Sequence, residues 1–257
     1  MKEKNLLGEV LAEFLGTTVL ILIGLGVVAM VNLFGNGTPG EVVNGGYTNI
    51  TIAWGIAVTM GIYVAGKTSG AHLNPAVTIA LAVFRGFSWG KVLPFIGAQV
   101  AGAFLGAALI YANYQPAFLK FDPNLEKTAG VFGTFPAFPA LPAAGFVDQV
   151  LGTAILLFLL LAVTDERNQI PGSNMTPIVV GLIVVGIGMS MGGMHGYAIN
   201  PARDFGPRLF SAVAGFKNNG LTDGSGIFWI PIAGPILGGL IGAAVYDFGI
   251  RRFLPEE

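Results

Sequence analysis

The tripeptide Asn-Pro-Ala occurs twice in this chain, each time heading an apolar stretch too short to cross a bilayer. Asn74-Pro75-Ala76 follows Ser69-Gly70-Ala71-His72-Leu73, and Asn200-Pro201-Ala202 follows His195-Gly196-Tyr197-Ala198-Ile199. Both copies have the grammar of a helix start. Asn caps well because its side-chain oxygen accepts a free backbone N–H, and Pro at the first helical position has no N–H to lose. The first copy runs on from Val77 to Arg85, the second from Arg203 to Ala214. A helix needs about 20 residues to span the hydrocarbon layer. Each motif therefore predicts a half-length helix, and two of them with polar caps predict half-spans meeting at mid-membrane. That is the layout of a pore or a transport site.

The rest of the chain supports a membrane setting. Of its residues 53% are hydrophobic and 11% charged, against about 25% charged in soluble domains. The net charge of −1 provides no basic field for nucleic acid, and the lack of cysteine excludes a disulfide framework or a thiolate metal site. No metal or cofactor is called for. Apolar stretches run over roughly Leu6–Phe34, Gly46–Ala65, Val92–Tyr111, Gly145–Val163, Thr176–Met191 and Ile227–Ile250. Leu6 to Val31 is too long for the core of a signal peptide and reads as the first span. The half-helices follow the second and fifth stretches, so the order span, span, half, span is used twice. Glu13-Phe14-Leu15-Gly16-Thr17 opens one unit and Gln149-Val150-Leu151-Gly152-Thr153 the other. An odd number of spans per unit forces opposite orientations, an inverted repeat.

The fold class expected is thus an all-α membrane protein, with six transmembrane helices and two re-entrant half-helices in one channel domain over 1–257. Repeat one covers about 6–112 and repeat two about 145–250. The Pro-rich segment 113–144 between them reads as a stiff connecting loop. Lys2, Lys4, Lys67, Arg85, Lys91, Arg167, Arg251 and Arg252 fall at one side, and Lys120, Lys127 and Lys217 at the other. With Arg203 and Arg208 discounted as half-helix residues, this bias predicts cytoplasmic termini.

Non-helical backbone survives in hydrocarbon only when buried in protein or lining a wet cavity. Gly66–Leu73 and Gly192–Ile199 read as extended, glycine-rich segments that lay carbonyl acceptors along a lumen. Asn74 and Asn200 would cap their own helices with oxygen and direct amide N–H groups at passing molecules. The half-helix N-termini add about half a positive charge each, which opposes cations while a neutral solute trades one set of hydrogen bonds for another.

On the stretches Ser69–Val77 and Asn200–Pro207 the chain resembles the aquaporin superfamily, and within it the glycerol facilitators or aquaglyceroporins. The resemblance covers nearly the whole chain. It implies a constriction formed by Trp54, Tyr197 and Arg203, with Gly188 as a roomy fourth wall where water-selective relatives usually carry histidine. Aromatic faces would take the carbon edge of a polyol while Arg203 donates to its hydroxyls. Tyr197 departs from the Phe typical of glycerol facilitators, and its hydroxyl would either narrow the lumen or add a hydrogen-bonding site. Asp204, Arg208 and Pro231-Ile232 also resemble the glycerol branch. The resemblance further implies a homotetramer with one pore per subunit, set in the lipid bilayer of the cell membrane.

Other residues admit two readings. Arg203 could instead cap loop carbonyls or pair with Asp204. Glu13, with Gln149 as its repeat partner, fits a brace behind the pore loop better than a proton carrier. His72 fits a lumen lining or a packing role, and His195 a brace or a lining. Gly102/Gly106 and Gly238/Gly242 read as tight helix crossings, Trp89 and Trp229 as interface anchors, and Asp165–Asn168 as a solvated loop. The function expected is passive conduction of glycerol, other small uncharged solutes and water, excluding ions and protons. The alternatives are a water-selective channel and an ion-coupled transporter, the latter needing a titratable cluster at the midplane where two neutral Asn stand. An enzyme using Ser69 and His72 lacks a supporting nucleophile motif.

Overall fold

In the computed structural model, which describes residues 5–34 and 42–255, the chain is all-helical. Among the described residues, six helices are long and apolar enough to span a membrane. They are α1 (Leu6–Leu33), α2 (Gly46–Ser69), α4 (Trp89–Phe121), α5 (Pro142–Thr164), α6 (Thr176–His195) and α8 (Ile230–Gly249), interleaved with the half-length α3 (Pro75–Phe84) and α7 (Pro201–Val213). The protein is a multi-pass membrane protein. At about 1.5 Å per residue, the 10 residues of α3 and 13 of α7 reach about 15 and 20 Å, short of a 30 Å hydrocarbon layer.

Within each repeat, the first helix packs on the second and on the last: α1 on α2 and α4, α5 on α6 and α8. Across the repeats α2 meets α6, and each half-helix crosses over, α3 lying on α8 and α7 on α4. Small residues set these distances. A Cβ at Gly102 would strike the carbonyl of Phe14, and one at Gly106 would sit 2.8 Å from Ile21 Cβ. Gly238 and Gly242 stand in the same relation to the carbonyls of Val150 and Ala154, so both glycine pairs are helix crossings. The burial pattern inverts that of a soluble protein. Leu7, Leu93, Leu182 and Phe248 face outward, as do Trp89 and Trp229, while Glu13, Gln99, Gln149, Asp204 and Arg208 are wholly buried.

At the link between the repeats, two boundaries differ from the sequence expectation. α4 continues to Phe121, with Pro116 inside it, and α5 starts at Pro142, so the non-helical link shrinks to 122–141 around a short 3-10 turn at Ala129–Val131. One missing N–H at Pro116 is outweighed by packing beyond it. Phe118, fully buried, stacks on Phe132 at 5.7 Å and meets Phe216 edge-on, tying the helix extension to the link and to the segment after α7.

Charged residues gather at the two ends of the bundle. At one, Arg85 pairs with Asp247 (2.6 Å), Lys91 with Glu9 (2.8 Å), and Arg251 and Arg167 with Asp165 (3.2 and 3.5 Å). Asp165, read from sequence as part of a solvated loop, also accepts from the Tyr246 hydroxyl and so ties the α5–α6 link to α8. At the other end Lys217 donates its backbone N–H to Leu125 O. Lys2 and Lys4, counted in the charge bias, lie outside the described residues.

Candidate functional site

The pore segments are shorter than their glycine content predicts. α2 and α6 stay helical to Ser69 and His195, ending where Gly70 and Gly196 turn left-handed and return their N–H to Gly66 O and Gly192 O. Only four residues then separate each helix from its Asn. They are not extended. Ala71 and Leu73 have φ of 52° and 51°, and their repeat counterparts Tyr197 and Ile199 have 36° and 44°. Left-handed backbone costs about 1–2 kcal/mol per non-glycine residue, and a β-branched residue such as Ile199 tolerates it least. The surroundings must hold this shape.

Glu13 and Gln149 do the holding. Glu13 Oε1 accepts from Ser69 Oγ (2.6 Å) and His72 N (2.9 Å), and Oε2 from Leu73 N (2.7 Å) and Gln99 Nε2 (2.7 Å). All four neighbours are donors, which suits a carboxylate. In the second repeat Gln149 Oε1 accepts from Ile199 N (2.9 Å), but its Nε2 donates to His195 O (3.0 Å). There one neighbour is a carbonyl, which calls for an amide. The Glu/Gln difference between repeats thus follows from the polarity of what each side chain faces. Gln99, which also donates to Thr78 Oγ1 at 3.0 Å, escaped the sequence reading. A glutamine inside an apolar span was the available signal.

The two Asn side chains are cross-strapped. Asn74 Oδ1 accepts from Ala76 N (2.9 Å), and Asn200 Oδ1 from Ala202 N (3.0 Å) and Arg203 N (3.2 Å), so each caps its own helix. Each amide also donates one N–H across the junction, Asn74 Nδ2 to Ile199 O (2.9 Å) and Asn200 Nδ2 to Leu73 O (2.8 Å). An amide nitrogen has two N–H groups, so this fixes the side chain and leaves one donor for another partner. Pro75, Pro201, Ala76 and Ala202 are buried at this junction.

A cavity of about 80 Å³ runs past both motifs. That exceeds the roughly 15 Å³ that one water needs, so the cavity has room for water. Ala71–Asn74 and Tyr197–Asn200 line it, with Trp54 and Arg203 toward one end and aliphatic side chains such as Leu20, Val58 and Val184 along the wall. The Arg203 guanidinium lies over the Trp54 ring, 4.1 Å from its centroid, and Nη1 has no partner among the described residues. His72 meets both of its readings: it lines the cavity, and its ring also bonds Thr78 Oγ1 (3.1 Å) and packs on Phe87 and Phe95.

Gly188 is placed differently from the expectation of a roomy fourth wall. A Cβ there would lie 2.8 Å from Cζ and 2.9 Å from Cε2 of Tyr197, and Gly188 does not line the cavity. The tyrosine ring occupies the space that the glycine leaves. Its hydroxyl is buried without a partner among the described residues, so it is not offered to the lumen that Tyr197 lines. Tyr47, unremarked in the sequence, stands edge-on to Tyr197 (centroids 6.3 Å) and donates its hydroxyl to Gly188 O (2.9 Å). It lies two helical turns before Trp54 on the same face of α2, the spacing by which it could have been found.

Asp204 faces away from the lumen. It pairs with the wholly buried Arg208 (2.7 Å), not with Arg203, and accepts from Thr134 N (2.7 Å) and Thr134 Oγ1 (2.9 Å). Arg208 in turn donates to Thr134 O (2.6 Å) and Asn219 O (2.8 Å). The pair fastens the link between repeats and the segment after α7 to the second half-helix. His195 is buried and does not line the cavity, and neither ring nitrogen has a partner among the described residues; its backbone carbonyl, not its ring, takes part in the bracing by accepting from Gln149.

Comparison with known proteins agrees with this architecture. The major intrinsic protein family profile matches residues 1–246. The glycerol uptake facilitator protein of Escherichia coli is 43% identical over 262 residues, covering 98% of this chain and 91% of its own. Aquaglyceroporin-2 of Rhizophagus irregularis is 44% identical over 259 residues, covering 97% of this chain and 80% of its own. Among solved structures, the X-ray structure of the aquaglyceroporin from Plasmodium falciparum superposes with a TM-score of 0.83 at 34% identity, covering 96% of this chain and 97% of that one. The chain belongs to the major intrinsic protein family.

Proposed function

We propose that this protein is a passive channel, not an enzyme, conducting glycerol, other small uncharged polar solutes and water while excluding ions and protons. The observation that carries the reading is the cavity itself. It passes both cross-strapped Asn side chains and reaches Trp54 and Arg203, and its wall combines aliphatic side chains with the residues of the two pore segments. A polyol has that same two-sided character. The helix N-termini and Arg203 repel cations, and a neutral solute exchanges its water hydrogen bonds for pore hydrogen bonds. The relatives named as glycerol facilitators and aquaglyceroporins support the substrate class.

Trp54, Tyr197 and Arg203 form the constriction in this reading, with Gly188 as the recess that admits Tyr197. Asn74 and Asn200 mark the centre, and Glu13, Gln149 and Asp204 act as supports. The chain forms one domain, assembles as a homotetramer with a pore in each subunit, and sits in the cell membrane with both termini cytoplasmic. The charge bias of the chain supports that orientation. A second reading, a water-selective channel, draws on the Tyr197 ring filling the Gly188 recess. Stopped-flow light scattering on proteoliposomes separates the two. Fast, non-saturating glycerol re-swelling is the expected result. Fast water flux without glycerol flux would establish the second reading, and flux stimulated by a sodium or proton gradient would refute both.

A further inference from the structure

We infer that Tyr47, outside the lumen, is a positioning residue that sets the channel's size limit by holding the ring of Tyr197 in place. The inference rests on the reading of the chain as a polyol-conducting channel. Tyr197 lines the cavity, and its buried hydroxyl has no hydrogen-bond partner among the described residues, so no polar contact there fixes the ring. Its backbone sits at φ 36°, so the main chain adds strain instead of anchorage. What fixes the ring is shape. Gly188 lies beneath it, and the ring also presses on Gly192, where a Cβ would stand 2.7 Å from Tyr197 Cδ1. Tyr47 stands edge-on at its side.

Tyr47 is itself secured. Its hydroxyl bonds Gly188 O at 2.9 Å, bridging α2 to α6, and fills the space over Gly192 that any side chain there would take. It is also 47% exposed. Truncating Tyr47 leaves a gap beside the Tyr197 ring, and a ring held by shape alone turns into it. Removing Tyr47 lets Tyr197 tilt away from Trp54 and Arg203, and the constriction widens. Tyr47 does not line the cavity, so its effect on a solute passes through Tyr197.

The experiment compares xylitol with glycerol flux in proteoliposomes for the wild type, Tyr47→Ala and Tyr47→Phe. The ratio of the two fluxes is independent of how much protein inserts. Tyr47→Ala is expected to raise the xylitol-to-glycerol ratio about tenfold, the factor a tight pocket typically assigns to one poorly fitting group. Tyr47→Phe keeps the ring but loses the bond to Gly188 O, and raises the ratio by less. In a Tyr197→Ala background, Tyr47→Ala should change the ratio no further. A rise in the alanine variant alone supports the inference and assigns the effect to the ring. An unchanged ratio in both variants overturns it, as does an equal rise in the Tyr197→Ala background. Should Tyr47→Ala fail to insert, Tyr47→Leu, which also removes the ring, takes its place, and an unchanged ratio there overturns the inference. Absence of glycerol flux in the wild type would instead refute the channel reading on which it rests.

Discussion

Replacing Glu13 by Gln keeps the size of the side chain and changes one acceptor oxygen into a donor, which tests whether the first pore segment is held as the structure implies. If the new NH2 takes the place of Oε2, it meets two donors, Leu73 N and Gln99 Nε2. If it takes the place of Oε1, Ser69 can turn its proton toward Ala65 O, 3.3 Å away, and accept, but His72 N–H cannot adapt. Either way at least one backbone N–H of the strained segment stays buried and unpaired. That alone costs about 1–3 kcal/mol, and the remaining bonds lose the strength that a charged acceptor provides, for a total of about 2–4 kcal/mol. At about 2–4 °C per kcal/mol for a chain of comparable length, Glu13→Gln should lower the melting temperature by roughly 5–15 °C. Thermal unfolding of purified protein in detergent, followed by circular dichroism, measures the shift, and glycerol flux should fall with it. The converse change, Gln149→Glu, places a carboxylate oxygen against His195 O and should also destabilise. Glu13→Gln melting within about 2 °C of the wild type would refute the reasoning.

Gly188→Ala adds a Cβ 2.8 Å from Tyr197 Cζ and pushes the ring toward the lumen. Glycerol flux should fall about tenfold with a smaller loss of water flux, and an unchanged glycerol-to-water ratio would count against the placement of the ring. Arg208→Leu leaves Asp204 buried without its cation, a change that costs about 3–5 kcal/mol. Loss of folded protein in a detergent melt is expected, and a melt like that of the wild type would contradict the clamp. Asp122 would be raised by burial, but hydrogen bonds from Lys127 N, Glu126 N and Thr128 outweigh this and hold its carboxyl below the ordinary value. Its contribution is therefore complete above about pH 4 and lost as pH falls through the lowered value. Proteolysis of the 122–141 link should accelerate only in that acid range, and Asp122→Asn should show the acceleration at neutral pH.

The architecture was legible because the lipid leaves few choices: apolar length gives the spans, and Asn-Pro gives the half-helix starts. Where the sequence misled, packing decided between locally acceptable options. Glycine runs before each Asn suggested long extended segments, yet Gly66 and Gly192 stay within helices and accept the closing hydrogen bonds. Pro116 looked like a break, but the buried Phe118 beyond it repays the continuation of the helix. Gly188 looked like open space because a missing side chain says nothing about which neighbour fills it. The contrast of Glu13 with Gln149 was visible as a departure from symmetry, but its reason lay in the direction of one carbonyl, that of His195, which no residue pattern encodes.

The crossing of each half-helix onto the opposite repeat, α3 on α8 and α7 on α4, constrains how the protein can be made. A ribosome delivers α1 to α4 first, and at that stage α3 has no α8 to lie on. Asn74 also has no Ile199 carbonyl to receive its amide proton. The first pore segment keeps its bonds to Glu13 from its own repeat, but the face of α3 that lies on α8 and the Asn74 amide are left without their partners, and hydrocarbon tolerates an unsatisfied polar group poorly. Burial of α3 must therefore wait until the last span has been threaded into the bilayer. The finished pore thus depends on both half-helices being docked together, and a chain truncated before α8 is expected to lack the surface on which α3 lies.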